Sequence, residues 1–149
     1  MKLEFKIKRF KELSGEEMYQ ILQLRSEVFV VEQNCVYLDP DGKDYRANHV
    51  IGYYENELAA YTRIFDAGDY FEEASIGRVL VSPRFRNLKL GHELMTESVS
   101  QVLKCFNQTK IKIGAQLYLE KFYQSHGFVT ISDVFLEDGI EHVFMLKEN

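Results

Sequence analysis

Val79-Leu80-Val81-Ser82-Pro83-Arg84-Phe85-Arg86-Asn87-Leu88-Lys89-Leu90-Gly91-His92 reads as a buried strand, a turn, a basic loop and the first turn of a helix. The first four backbone N–H groups of a helix have no partner within it. The aligned peptide dipoles add about half a positive charge at that end. With arginine and lysine in the loop before it, such a junction suits a phosphate or pyrophosphate. The two common glycine-rich phosphate loops are absent. Gly91 is followed by His92 rather than Lys-Ser/Thr, and no run of three spaced glycines occurs.

The rest of the chain narrows the class. Its 149 residues fit one domain with a real hydrophobic core, and 46% hydrophobic with 28% charged residues is ordinary for a soluble globule. The net charge of -5 argues against general nucleic-acid binding, which needs basic surface to displace counterions. No apolar run is long enough to predict a membrane span. Met1-Lys2-Leu3-Glu4-Phe5-Lys6 alternates apolar and charged residues, unlike a signal peptide. Cys35 and Cys105 form no Cys-x-x-Cys, so neither a disulfide framework nor a zinc site is expected, and a cytoplasmic location follows as the plain reading.

Working outward, Leu3, Phe5 and Ile7 alternate with charges and predict a strand over 3–8. Ser14-Gly15-Glu16-Glu17 is a capping box that opens a helix expected to reach Val31. Its apolar stripe is Met18, Ile21, Leu22, Val28 and Phe29, with Arg25 in the middle, where a charge is costly unless paired or open to a cavity. Residues 33–47, with Asp39-Pro40-Asp41-Gly42, form a long loop of a length that is often functional. Strands are predicted over 49–54, 58–65, 74–81 and 111–115, with Gly77 inside the third of these marking a bulge or close approach. Met95, Val99, Val102 and Phe106 give the helix after the basic loop its buried face. A helix over 117–126 carries Leu119, Phe122, Tyr123 and His126 on one face and stops at Gly127. Strands over 129–135 and 141–147 close the chain. The order β-α-β-β-β-α-β-α-β-β is an α/β (α+β) arrangement, a mixed sheet with helices on both faces.

That order, with the basic loop between the fourth strand and the next helix, resembles the GCN5-related N-acetyltransferases (GNAT). Their motif Arg/Gln-x-x-Gly-x-Gly/Ala has its counterpart in Arg86-Asn87-Leu88-Lys89-Leu90-Gly91, with Lys89 where the first glycine belongs. Phe122-Tyr123-Gln124-Ser125-His126-Gly127-Phe128 is similar to the family's Phe-Tyr-x-x-x-Gly-Phe segment. Arg25 to Gln33, His49, Ile76-Gly77-Arg78-Val79, Ala115-Gln116 and Glu137 to His142 resemble the ElaA-type branch, with Glu141 where that branch tends to have proline.

The resemblance implies an antiparallel-rich GNAT sheet and acetyl-CoA as the donor to a primary amine of a small molecule or peptide, attacked directly in a ternary complex. It places the pantothenate arm along the backbone of Val79, Leu80 and Val81. It places the pyrophosphate on the N–H groups from Asn87 to His92, through Leu88, Lys89, Leu90 and Gly91, with Arg86 and Lys89 adding charge-assisted contacts. Gln116 stands where many relatives hold the arm with asparagine. Tyr123 is the expected general acid, because a phenol of pKa about 10 stays protonated at neutral pH and can donate to a departing thiolate.

The general base is open among Glu32, His49, Glu137, Asp138 and His142. A further helical turn puts Glu32 on the face of Arg25, as an ion pair or as part of an acceptor pocket. Arg25, Arg63 and Arg78 lie in or beside predicted core elements and hint at an acceptor bearing a carboxylate or phosphate, whereas the net charge favours a cationic one. A homodimer is compatible with the sequence. The alternatives are a non-catalytic acyl-CoA-binding sensor of the same fold, or a relative of the acyl-homoserine-lactone makers. The latter share Arg-x-x-Val-Phe with Arg25 to Phe29, but carry a tryptophan that this chain lacks.

Overall fold

The computed structural model describes residues 1–149. Eight strands form one sheet: β1 (Glu4–Arg9), β2 (Asn48–Tyr54), β3 (Glu57–Phe65), β4 (Ala74–Val81), β5 (Ile111–Gln116), β6 (Val129–Thr130), β7 (Phe135–Glu137) and β8 (Ile140–Lys147). Their order is β1-β2-β3-β4-β5-β8-β6, with β7 also paired to β8, and every pairing except β4–β5 is antiparallel. The mixed, mostly antiparallel sheet read from the sequence is therefore the architecture found.

Alternation along the strands feeds two cores. On one face α1 (Gly15–Arg25) buries Ile21 and Leu24 against Ile51, Tyr61 and Leu80. On the other, α2 (Gly91–Phe106) buries Leu94, Met95 and Val102 against Val50, Ala60, Ile64, Ile76 and Ile113. The third helix, α3 (Glu120–Gln124), adds Tyr123 to that second core, which also takes in Phe128. The capping box forms as the sequence indicates: Glu17 N–H donates to Ser14 Oγ at 3.0 Å and Ser14 N–H to Glu17 Oε1 at 2.8 Å.

Two elements differ from expectation. The helix opened by Ser14 is α only to Arg25 and continues as a π turn over Ser26–Glu32. A π helix, with its wider i→i+5 ring, turns less per residue than an α helix, so seven residues no longer return to the same face. Glu32 is thereby rotated away from Arg25, and the pairing expected of the two does not form. The strand expected over 129–135 is two short pieces, β6 and β7, because the intervening residues leave the ladder. Ser132 Oγ instead accepts the N–H of Phe144 at 2.8 Å.

The Gly77 signal is correct and has a specific form. Two residue steps on β3, Tyr61 to Arg63, face three on β4, Gly77 to Leu80, so β4 carries a bulge. Arg78 within it has φ +50°, left-handed for a residue with a side chain.

The loop after the π turn is pinned to the sheet by ions. Arg25, fully buried, gives Nε to Asp39 Oδ2 at 2.8 Å and Nη1 to Asp44 Oδ1 at 2.7 Å. Arg63 holds Asp41 through both terminal nitrogens (2.6 and 2.8 Å) and reaches Asp44 at 3.0 Å. His49 Nε2–H donates to the Asp44 carbonyl at 3.1 Å, which leaves Nδ1 to accept the Tyr61 hydroxyl at 2.6 Å. That tautomer is neutral. Burial works against the charged ring and lowers its pKa from 6.5. Burial acts to raise the pKa of Asp41 and Asp44, but hydrogen bonds and charge from Arg63 and Arg25 outweigh it and hold both below 3.8.

All three groups bind fewer protons folded than unfolded, so stability falls as pH falls. The His49 contribution is complete above its unfolded pKa and is lost as pH drops from about 6.5. The Asp41 and Asp44 contributions are complete above about pH 4 and are lost below it. Thermal melts followed by circular dichroism from pH 8 to 2 should show both limbs. His49→Gln should shrink the upper one, leaving the smaller share of His126, whose pKa burial also lowers, and keep the lower.

Candidate active site

β4 and β5 share only two rungs, Ala74↔Ile111 and Ser75↔Lys112, and then diverge. The gap is a cavity of about 650 Å³ walled by Ile76–Val81, by Ile113, Gly114 and Gln116, by the π turn, by α3 and by the β7–β8 hairpin. Its size suits a small-molecule site. Ser82 N–H donates to the Ala59 carbonyl at 2.7 Å. Strand alternation then points the Leu80 peptide group toward β3 and those of Val79 and Val81 into the cleft. Arg86 Nε, donating to the Val81 carbonyl at 3.3 Å, agrees with that orientation. A strand edge with free N–H and C=O groups can accept an extended, amide-bearing ligand as an added strand.

Beyond β4 the chain makes a 3₁₀ turn over Pro83–Leu88, then Lys89 at φ 56°, ψ 47°, and then α2. Lys89 holds the left-handed conformation for which glycine is the usual choice, at a cost on the order of 1 kcal/mol. Its side chain is exposed, so the departure from the motif alters the chemistry of the loop and not its path. Leu90, ahead of α2, offers no side-chain cap. The first N–H groups of α2 are thus not spent on a capping side chain. Among the residues expected along this loop, Arg86 and Gly91 line the cavity, while Asn87, Leu88, Lys89, Leu90 and His92 lie outside its walls. Leu88 and Leu90 turn into the core. His92 stands beside the mouth, its Nδ1 2.9 Å from His126 Nε2 and its ring 4.9 Å from that of Phe122.

The two sequence marks meet here. A Cβ added at Gly91 would touch the Phe122 ring at 3.5 Å, so the start of α2 rests on α3. The neighbouring Tyr123 is 5% exposed, packs edge-on to Phe122 and Phe128, and lines the cavity. No protein hydrogen bond engages its hydroxyl, and burial raises its pKa above the usual phenol value. The result is a protonated, unspent O–H donor in the cleft.

Two pairs cross above the cleft. Glu32 takes both terminal nitrogens of Arg86, at 2.6 and 2.7 Å. Gln33 and Gln116 exchange amide hydrogen bonds at 3.1 and 3.2 Å. Consecutive residues of the π-turn segment thus clasp the β4 side and β5.

A model of the acetyltransferase (GNAT) domain matches residues 41–149. The chain belongs to the GNAT family. It is similar to Protein ElaA of Escherichia coli strain K12, at 43% identity over 139 residues, 92% of this chain and 91% of ElaA. The crystal structure of Escherichia coli ElaA superimposes with a TM-score of 0.90 at 40% identity, covering 98% and 99% of the two chains. An acyl-CoA N-acyltransferase from Pseudomonas aeruginosa gives 0.90 at 36% identity, covering 97% and 99%. A GNAT acetyltransferase from Elizabethkingia anophelis with acetyl-CoA bound shares the fold, with a TM-score of 0.67 at 16% identity and 99% coverage of both chains.

Within this GNAT fold the remaining candidates separate cleanly. Glu32, Arg78, Glu137, Asp138 and His142 line the cavity, as do Val79, Leu80, Val81 and Gln116. Arg25, His49 and Arg63 do not. Arg25 and Arg63 are committed to Asp39, Asp41 and Asp44, and His49 to Tyr61 and Asp44. An acceptor anchored by the three arginines is therefore replaced by an internal clamp. Even Arg78, at the cavity wall, lies 2.9 Å from Asp39 Oδ1 and donates Nη2 to the Asp39 carbonyl at 2.9 Å.

His142 Nδ1–H donates to the Ile140 carbonyl at 2.7 Å, which leaves Nε2 as the free nitrogen, 3.5 Å from Glu137. Gln33, Tyr37 and Tyr118 also line the cavity and were not singled out from the sequence. Their signal was weak: two lay in or beside a loop without periodicity. Cys35 is buried at the same wall and hydrogen-bonds the Asp138 carbonyl at 3.3 Å.

No helix is long and apolar enough to cross a membrane.

Proposed function

We propose that this GNAT protein is an N-acetyltransferase that moves the acetyl group of acetyl-CoA to a primary amine of a small molecule or peptide, by direct attack with donor and acceptor bound together. The observation that carries this reading is the cleft-side β4 edge at Val79 and Val81, free but for the Val81 carbonyl that Arg86 holds, with the uncapped start of α2 beyond it and Tyr123 lining the same cleft. The edge binds the amides of the pantothenate arm, and the α2 N–H groups with Arg86 take the pyrophosphate. One of the cleft-facing N–H groups polarises the thioester carbonyl. The amine nitrogen then bonds to the carbonyl carbon as the C–S bond breaks. Tyr123 gives its phenolic proton to the leaving sulfur and recovers one from the nitrogen.

Glu32, Glu137, Asp138 and His142, all on the cavity wall, are the base candidates that remain. His49 is withdrawn from that role by its two hydrogen bonds. The bound acetyl-CoA in the Elizabethkingia anophelis fold neighbour supports the donor.

The test is thiol release from acetyl-CoA over a panel of amines, alongside coenzyme A binding by calorimetry. Amine-dependent release is expected. Binding of coenzyme A without release to any amine would favour the non-catalytic sensor. Failure to bind coenzyme A would end the acyl-CoA reading.

A further inference from the structure

Glu32 and Arg86 form a bidentate ion pair that joins two walls of the cavity. Arg86 belongs to the loop that meets the pyrophosphate in the reading above, and Glu32 to the π turn, which forms another wall of the same cavity. The guanidinium has both terminal nitrogens on Glu32, at 2.6 and 2.7 Å, and its Nε on the Val81 carbonyl. An arriving pyrophosphate competes for the same nitrogens and offers more charge than one carboxylate. The pair is accessible to that exchange, with side chains 45% and 39% exposed.

The balance of charge at the cavity wall then changes. Arg78 is already bound to Asp39, and Arg86 turns to phosphate. The carboxylates left on the cavity wall are those of Glu32, Glu137 and Asp138. No positively charged side chain on that wall remains free to receive a carboxylate or phosphate. Tyr123, 5% exposed with its hydroxyl unpartnered, looks into the same cavity and marks where the reacting nitrogen must come.

We propose that Glu32 is the anchor for a cationic acceptor, an amine carrying a second positive centre, and that the donor's pyrophosphate uncovers it by drawing Arg86 away. This rests on the acyl-CoA reading of the cleft and adds the charge class of the acceptor. It also makes the two sites interdependent: a ligand that binds only the uncovered form gains affinity in proportion to how far the donor shifts the pair.

The experiment is calorimetry on wild type, Glu32→Gln and Glu32→Ala, with coenzyme A, then with spermidine and lysinamide in the presence and absence of coenzyme A, and with glutamate as the anionic control. Removing the competitor should tighten coenzyme A binding about two- to fivefold in both variants, the range of an exposed ion pair. By reciprocity, spermidine or lysinamide should bind the wild type about two- to fivefold more tightly when coenzyme A is present, and the loaded protein should bind them about two- to fivefold more weakly in both variants. Glutamate should not bind. Unchanged or weaker coenzyme A affinity in the variants overturns the proposal. So does binding of the cationic probes that ignores coenzyme A or Glu32, or their failure to bind the loaded wild type. If the wild type does not take up coenzyme A at all, the fault lies in the acyl-CoA reading itself.

Discussion

Tyr123→Phe should lower turnover in thiol release by about 100-fold or more while leaving coenzyme A affinity within about twofold, the pattern of a lost proton donor. The substitution removes one oxygen from a ring that is 5% exposed and fixed by Phe122 and Phe128, so the packing survives. The oxygen makes no hydrogen bond within the protein, so its loss strands no partner and costs the fold little. What disappears is the donor for the departing thiolate. Comparison of kcat with the calorimetric dissociation constant separates the two effects. Equal kcat in the variant would remove Tyr123 from the chemistry, and a parallel loss of affinity would make it a packing residue.

Arg25→Met should destabilise the protein by about 3–5 kcal/mol, the range for breaking a buried ion pair from one side. Methionine fills much of the same space, so the loss is electrostatic. Asp39 and Asp44 remain, with side chains only 1% and 10% exposed, and each loses one of its two guanidinium partners, keeping Arg78 and Arg63 respectively. For a chain of this size the shift in Tm is about 10 °C or more. Denaturant unfolding monitored by circular dichroism reads it directly. A change below about 1 kcal/mol would mean that the loop carrying Asp39 and Asp44 rearranges to reach solvent. Because that loop also supplies Cys35 and Tyr37 to the cavity, the same variant should loosen the acceptor end before it affects the β4 edge.

The fold was legible because its strongest signals are local. The alternation of Leu3, Phe5 and Ile7, the Ser14 capping box and the 4-3-4 spacing of Met95, Val99, Val102 and Phe106 each fix an element without help from distant residues. The π turn was not legible. Its sequence, Ser26 to Glu32, has an ordinary helical pattern, and the widening shows only in the bonds it makes, such as Cys35 N–H to the Val30 carbonyl at 3.0 Å.

That one miss explains the misplaced Glu32. Its partner, Arg86, is 54 residues away and no periodicity could indicate it. The arginines were misread for a related reason. A buried cation announces that it needs a counter-charge, but the sequence does not say whether a ligand or the protein supplies it. Here Asp39-Pro40-Asp41-Gly42, read as a turn, turned out to carry two of the three carboxylates that do. Arg86, Gly91, Gln116 and Tyr123 line the cavity because strand ends and helix starts place them there.

The split between β4 and β5 also leaves a readable trace in the backbone. The amide protons of Leu80, inside the β3–β4 ladder, and of Ser82, bonded to Ala59 at its end, exchange with deuterium only when those bonds open. Those of Val79 and Val81, on the same strand and only one residue away, face the cleft and are labelled from the cavity side without any unfolding. The strand therefore carries a two-residue rhythm of slow and fast exchange. Occupation of the cleft by an amide-bearing ligand would flatten that rhythm, so the strand reports its own loading with no probe attached.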